Sequence, residues 1–163
     1  LDVPDFPKPG VVFKDITPLL NSPLAYDFTL SRMAEAFRDT PVDLVLGVES
    51  RGFFFGAPLA LRMGKGFIPI RKPGKLPWKT NRVEYALEYG TDTVEVHQDA
   101  VAKGQRVLLV DDVLATGGTM TAGIELLRKI GAEVPAAAAL IELTFLNGRQ
   151  RLGAHRVQSL IDY

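Results

Sequence analysis

Two adjacent carboxylates precede a run of small residues in Val107-Leu108-Leu109-Val110-Asp111-Asp112-Val113-Leu114-Ala115-Thr116-Gly117-Gly118-Thr119. An apolar strand here delivers Asp111 and Asp112 to the edge of a sheet. Ala115, Thr116, Gly117 and Gly118 let the backbone close around an anion. The N–H groups of a helix starting there point at that anion, and Thr116 and Thr119 add hydroxyl donors. The helix dipole contributes roughly 0.3–1 kcal/mol, up to ~2 kcal/mol when partly buried. Carboxylates beside a phosphate repel it, so Asp111 and Asp112 read as acceptors for sugar hydroxyls or as partners of a metal. Together the segment describes a pocket for a ribose 5-phosphate. The bland alternative is a strand, a tight Gly-Gly turn and a capped helix with two surface aspartates. Asp-Asp at a strand end also resembles the acidic strand of a P-loop NTPase, but neither G-x-x-x-x-G-K-[ST] nor G-x-G-x-x-G is present.

Glu49-Ser50-Arg51-Gly52 follows a second apolar strand, Leu44 to Val48. Arg51 can hold a diphosphate with a fork of hydrogen bonds. The alternative is an ordinary surface arginine at a helix start, where its charge opposes the dipole. Arg71, Lys72 and Lys75 flank a Pro- and Gly-rich stretch that runs to Thr80. Tyr85 to Tyr89 and Thr93 to Val96 then read as a two-stranded arm. A long connection of this kind is a lid or a solvated surface loop. Lys79 and Arg82 fit a solvated basic face equally well. His97 and His155 have no metal-ligand spacing. With no cysteine there is no disulfide, no Cys-ligated zinc and no thiol nucleophile, and a reducing cytoplasm is the expected compartment.

The elements that must position these groups follow from periodicity. Ser22-Pro23 is an N-cap and first helical residue. Leu24, Phe28, Ala34 and Phe37 then recur at helical spacing. Leu44–Val48 is a buried strand, Phe53–Met63 a helix and Gly66–Ile70 the next strand. Arg106–Val110 is a strand, Thr119–Ile130 a helix with Gly131 at its cap, and Ala136–Leu143 a third buried strand. Strand, helix, strand, twice over, gives an α/β fold with a parallel sheet, whose ligands bind beyond the carboxyl ends of the strands. The 163 residues suit one domain. A formal net charge of zero argues against nucleic acid as a partner, and no apolar run reaches the ~20 residues that span a membrane. The start lacks both an initiator Met and a signal-peptide pattern, so a short leader is expected to be missing.

The Val107–Thr119 segment resembles the phosphoribosyl-pyrophosphate (PRPP) signature of the type I phosphoribosyltransferases. From Pro9 to Tyr163 the chain is similar to the adenine-using branch of that family. The similar blocks are Pro9-Gly10-Val11-Val12-Phe13-Lys14-Asp15-Ile16, Gly47-Val48-Glu49-Ser50-Arg51-Gly52-Phe53, Leu87-Glu88-Tyr89-Gly90 and Ile141-Glu142-Leu143-Thr144. The resemblance implies a single domain, 1–163: a parallel sheet flanked by helices, a small hood from the N- and C-terminal segments, and a flexible lid at about 72–90. It implies a cytoplasmic homodimer that converts adenine and PRPP to AMP and pyrophosphate in purine salvage. Mg²⁺ would be held mainly by PRPP or pyrophosphate, with no direct protein ligand assigned.

By the same resemblance, Asp111 and Asp112 contact the ribose hydroxyls, and Ala115, Thr116, Gly117, Gly118 and Thr119 cradle the 5-phosphate. Ser50 and Arg51 serve pyrophosphate, and some of Arg71, Lys72 and Lys75 reach it in the same or a neighbouring subunit. Glu88 handles the purine proton, with Tyr89 beside it in the lid and Glu84 as the local competitor. The backbone of Val12-Phe13-Lys14 reads adenine, with Phe13 and Leu143 sandwiching the ring; Phe13 as a plain core residue is the alternative. Trp78 packs over the closed site. Two other readings stay open: transfer to a 6-oxopurine or to orotate, and a PRPP-sensing regulator, which needs an extra module for which 163 residues leave no room.

Overall fold

The computed structural model describes residues 1–86 and 91–163. The chain opens with β1 (Asp2–Pro4) and β2 (Val12–Lys14), an antiparallel pair standing apart from the main sheet. Helices α1 (Thr17–Leu20) and α2 (Pro23–Ala36) follow. The Ser22 hydroxyl accepts from the Ala25 N–H at 3.3 Å and Pro23 fills the first turn, so α2 starts where the sequence says it should. Its buried face differs from the expectation. Leu30, Met33 and Phe37 enter the core, whereas Leu24 and Phe28 are 86% and 65% exposed. The rotation is set by polar contacts to the next helix: the Tyr26 hydroxyl donates to the Phe54 carbonyl, and Arg62 pairs with Asp27 and donates to the Ser31 hydroxyl at 2.7 Å.

The sheet is built from β3 (Leu44–Val48), α3 (Gly52–Arg62) and β4 (Gly66–Ile70), then an antiparallel arm of β5 (Thr80–Ala86) and β6 (Thr91–His97). The second unit is β7 (Arg106–Leu114), α4 (Gly118–Lys129) and β8 (Glu133–Glu142). A 3₁₀ turn (Thr144–Leu146), the short helix α5 (Gly148–Arg151) and β9 (Arg156–Asp162) close the chain. Five parallel strands lie in the order β4-β3-β7-β8-β9. Their alternating side chains divide the core. Val45, Leu108, Val110, Ala138 and Leu140 pack with α2 and α3. Leu46, Val48, Leu109, Ala137 and Ala139 pack with α4 and the arm. Each fully buried Val or Leu contributes about 1.5–3 kcal/mol.

Gly131, at φ +84° just past the end of α4, is the expected helix terminator. β7 runs on to Leu114 instead of stopping at Val110, so Asp111 and Asp112 lie within the strand. β8 starts at Glu133 rather than Ala136. β9 extends the main sheet, leaving the N-terminal pair and the final residues to form the hood; Lys14 Nζ sits 3.7 Å from the centre of the Tyr163 ring.

Candidate active site

From β3 the chain moves outward to β4, and from β7 it moves the other way to β8 and β9. The strand order therefore reverses between β3 and β7, which run side by side from Leu44↔Val107 to Gly47↔Val110. Beyond a reversal the two following loops part and leave a crevice. Gly52 draws α3 against β7: a Cβ there would lie 2.8 Å from the Val110 carbonyl oxygen and 3.1 Å from Asp111 Oδ1. The Glu49–Ser50 peptide in the first loop is cis.

Residues far apart in sequence meet in this crevice. Val12, Phe13, Lys14, Ser50, Arg51, Lys72, Asp111, Asp112, Ala115, Thr119 and Leu143 line one cleft of about 360 Å³. Thr116, Gly117 and Gly118 line a small hollow of about 60 Å³ at the start of α4, which shares Asp111, Ala115 and Thr119 with the cleft. Gly117 has φ +80°, a conformation glycine adopts without strain. Another hollow, of about 550 Å³, lies by α2 and Arg106. Its guanidiniums, Arg38, Arg62 and Arg106, are already paired with Glu35, Asp27 and Asp43.

The two carboxylates of β7 share a poorly solvated environment. Burial, reinforced by the charge of Asp112, pushes the Asp111 carboxyl well above the usual range. Burial raises Asp112 too, against the pull of Arg51. Arg51 Nε is 2.8 Å from Asp112 Oδ2, close enough for an ion pair but not aligned as a hydrogen bond, and that oxygen has no hydrogen-bond partner among the described residues. The Arg51 guanidinium also lies 4.9 Å from the centre of the Phe13 ring. Phe6 packs edge-on against Phe13 at 5.1 Å.

Some expected groups are engaged elsewhere. Arg71 is outside the cleft lining: its Nε and Nη2 donate to Glu49 at 3.2 and 3.1 Å, and Nη1 donates to the Lys75 carbonyl at 3.2 Å. The Arg71 hydrogen bonds, with one from the Lys72 N–H at 2.8 Å, hold the Glu49 carboxyl below its ordinary value. Lys75 is exposed and also outside the lining, and Trp78 is exposed. Glu88 and Tyr89 lie outside the described residues. No cluster of three or more His, Cys, Asp or Glu side chains suited to a metal occurs among the described residues.

Sequence reasoning passed over Glu49, although it stands beside Ser50, and it also passed over a polar chain between arm and hollow. Lys72 pairs with Asp92 and donates to the Tyr85 hydroxyl at 3.3 Å. Tyr85 donates to Asp92 at 3.1 Å and stands 3.4 Å from the Thr119 hydroxyl. Tyr85 and Asp92 face each other across the arm, a pairing that the strand register alone could have revealed.

A parallel sheet with its ligand crevice at a strand-order reversal, and with an acidic strand running into a glycine-rich helix start, fits an enzyme that handles phosphorylated sugars. The chain belongs to the phosphoribosyltransferase family, and the phosphoribosyl transferase domain matches residues 20–158. It is 53% identical over 162 residues to the adenine phosphoribosyltransferase of Kosmotoga olearia, covering 99% of this chain and 95% of that protein. The crystal structure of adenine phosphoribosyltransferase from Thermoanaerobacter pseudethanolicus is similar with a TM-score of 0.98 at 51% identity, over 100% of this chain and 95% of that one. The Saccharomyces cerevisiae adenine phosphoribosyltransferase, solved with an imino-altritol bisphosphate and adenine, has a TM-score of 0.91 at 37% identity, over 98% and 92% of the two chains.

Proposed function

We propose that this chain is a salvage enzyme that moves the phosphoribosyl group of PRPP onto adenine, giving AMP and pyrophosphate. One observation carries the reading: a small hollow at a helix N-terminus adjoins a wider cleft, with Asp111, Ala115 and Thr119 lining both. That is the shape needed by a phosphate joined through ribose to a base. The chain works as one domain, 1–163.

In this reading the 5-phosphate takes the Ala115–Thr119 hollow. The ribose hydroxyls donate to Asp111 and Asp112, whose charge also favours the cationic sugar that forms as the anomeric carbon releases pyrophosphate. Ser50, Arg51 and Lys72 hold the departing pyrophosphate. Arg71 acts one step back, through Glu49, and Lys75 serves at the rim. The purine nitrogen bonds to the anomeric carbon as it gives up a proton, which Glu88 accepts beside Tyr89. Among the described residues β2 pairs only with β1, so its other edge has backbone groups to read adenine. The Lys14 ammonium is turned away to Asp2 at 2.8 Å, leaving the backbone of Val12–Lys14 and the side chains of Phe13 and Leu143 to the base.

The donor set fits Mg²⁺ that arrives with PRPP. It offers hard carboxylate oxygens, those of Asp111 and Asp112, and among the described residues no ready cage for a resident metal. Asp111 and Asp112 are the residues that would help hold the ion once PRPP is bound, and the ion would supply positive charge to the leaving group. A homodimer is supported by exposed apolar side chains on two packed helices, Leu24 and Phe28 on α2 and Phe54 and Leu61 on α3. The absence of cysteine supports a cytoplasmic setting. No helix among the described residues is long and apolar enough to cross a membrane.

The test is AMP formation from adenine and PRPP, with and without Mg²⁺, against hypoxanthine, guanine and orotate. A base with a 6-oxo group reverses the polarity met by the β2 edge, and sites built on hydrogen bonds reject such mismatches by up to about 10⁴–10⁵-fold. Efficient use of another base overturns the reading of Val12–Lys14. PRPP binding without turnover of any base overturns the enzyme assignment.

A further inference from the structure

Glu142, at the end of β8, is 5% exposed, yet the reaction has no use for it. Arg149 of α5 holds it: Nε donates to Oε1 at 2.9 Å and Nη2 donates to Oε2. The same guanidinium donates through Nη1 to the Val157 carbonyl at 2.6 Å and through Nη2 to the Ser159 hydroxyl at 3.1 Å. Ser159 in turn donates to Glu142 Oε2 at 2.9 Å. One side chain therefore ties α5 to both β8 and β9. The Arg149 hydrogen bonds hold the Glu142 carboxyl below its ordinary value, so the tie stays charged at neutral pH.

The residue before Arg149 is Gly148, and its backbone presses on the loop after β7. A Cβ on Gly148 would lie 2.1 Å from the Ala115 carbonyl oxygen and 2.9 Å from the Gly117 nitrogen. A Cβ on Gly117 would lie 2.5 Å from the Gly148 oxygen. Asn147, at φ 54°, turns the chain into this contact. With glycine on both sides no side chain cushions the two backbones, so a shift of α5 passes directly into the loop.

We propose that Arg149 is a positioning residue for PRPP: through its tie to Glu142, Val157 and Ser159 it seats Gly148 against Ala115–Gly117 and fixes the loop in the shape that receives the 5-phosphate. The inference rests on the phosphate reading of that loop. A lysine cannot replace the arginine fully, because one ammonium cannot span four acceptors in a planar fork.

The experiment compares Arg149→Met, Arg149→Lys and Gly148→Ala with Thr119→Ala, a direct lining residue of the hollow. Steady-state kinetics, PRPP calorimetry and thermal melting are measured on each. Arg149→Met is expected to raise KM for PRPP about 10-fold or more, since small misplacements at a site are costly. KM for adenine should stay within about twofold, as for a lost interaction confined to one substrate. Arg149→Lys should recover part of the loss, and Gly148→Ala should reproduce it with the ion pair intact. If Arg149→Met does not fold, the other two variants carry the test. Unchanged KM for PRPP in both overturns the proposal, as does an equal rise for PRPP and adenine that tracks lost thermal stability. If Thr119→Ala also leaves PRPP binding unchanged, the phosphate reading itself has failed. If Thr119→Ala alone weakens it, Arg149 has no positioning role.

Discussion

Arg51 and Asp112 face each other across the seam between β3 and β7, with Nε 2.8 Å from Oδ2. The pair is unequal: the aspartate side chain is 6% exposed and the arginine 37%. Burial raises the Asp112 carboxyl and Arg51 opposes that rise. Arg51→Met should therefore move the acid limb of the kcat/KM profile to higher pH, because burial then acts without its largest opposing influence and the carboxylate is lost sooner on acidification. Arg51→Lys keeps the charge but loses the fork. Its KM for PRPP should rise about 10- to 150-fold, the equivalent of ~1.5–3 kcal/mol for hydrogen bonds to charged groups. A pH profile unmoved in Arg51→Met argues against this coupling.

Asp111 sets function against stability. Its carboxyl pKa is raised in the folded protein by burial and by Asp112, so the native state holds that proton more tightly than the unfolded chain does. The resulting cost is absent below the ordinary aspartate value of 3.8 and grows as pH climbs through the raised folded value. Asp111→Asn removes the cost. At neutral pH the melting temperature should rise by about 2–4 °C for each kcal/mol relieved, and the gain should shrink on acidification. PRPP affinity should fall at the same time. A variant that melts lower than wild type at neutral pH contradicts this account.

Glu88→Gln preserves size and most hydrogen bonding while removing a base. Single-turnover AMP formation with saturating PRPP should slow by about 10²–10⁴-fold, while PRPP affinity barely moves. Glu84→Gln, at an exposed position of β5, is the matched control and should cost far less. Single-turnover conditions matter because product release can hide a chemical defect in kcat. A wild-type rate in Glu88→Gln assigns the proton to another group.

Light scattering at micromolar concentration should give twice the chain mass of 17.8 kDa. The double variant Phe28→Asp/Leu61→Asp should give the single mass, because it charges both exposed helix faces without touching the core. A wild-type monomer, or a double variant that still pairs, moves the interface elsewhere or removes it.

What was legible in the sequence was local. β3 and β4 were read to the residue: β3 is buried almost throughout and is one uninterrupted apolar run, and the half-buried edge strand β4 is a second short apolar run. The end of β7 was missed because two carboxylates look like the end of a strand, although burial continues to Leu114. β1 and β2, three residues each and containing Pro and charge, carry no period to detect. The buried side of α2 was misjudged because hydrophobicity alone votes for Leu24 and Phe28, while Tyr26 and Asp27 fix the rotation through partners on α3. The same division runs through the site. Asp111 to Thr119 is contiguous and could be read as a unit. Arg71 counted as a free cation because a basic stretch does not disclose that Glu49, 22 residues earlier, occupies its guanidinium. The approach of Gly148 to Gly117 leaves no pattern at all, since each glycine is unremarkable until the other is beside it.

The arm bears on how the enzyme could be re-engineered. Arg71 and Glu95 exchange backbone hydrogen bonds at 2.9 and 2.7 Å, and Tyr85, Val94 and Val96 are sealed into the hydrophobic layer beneath α4. This appendage is thus rooted like a structural strand pair. Excising it to make a permanently open catalyst would strip three buried side chains from that layer and leave Met120 and its neighbours facing water. From Tyr85 and Asp92 back to the root, each residue removed is subtracted from the foundations of the domain.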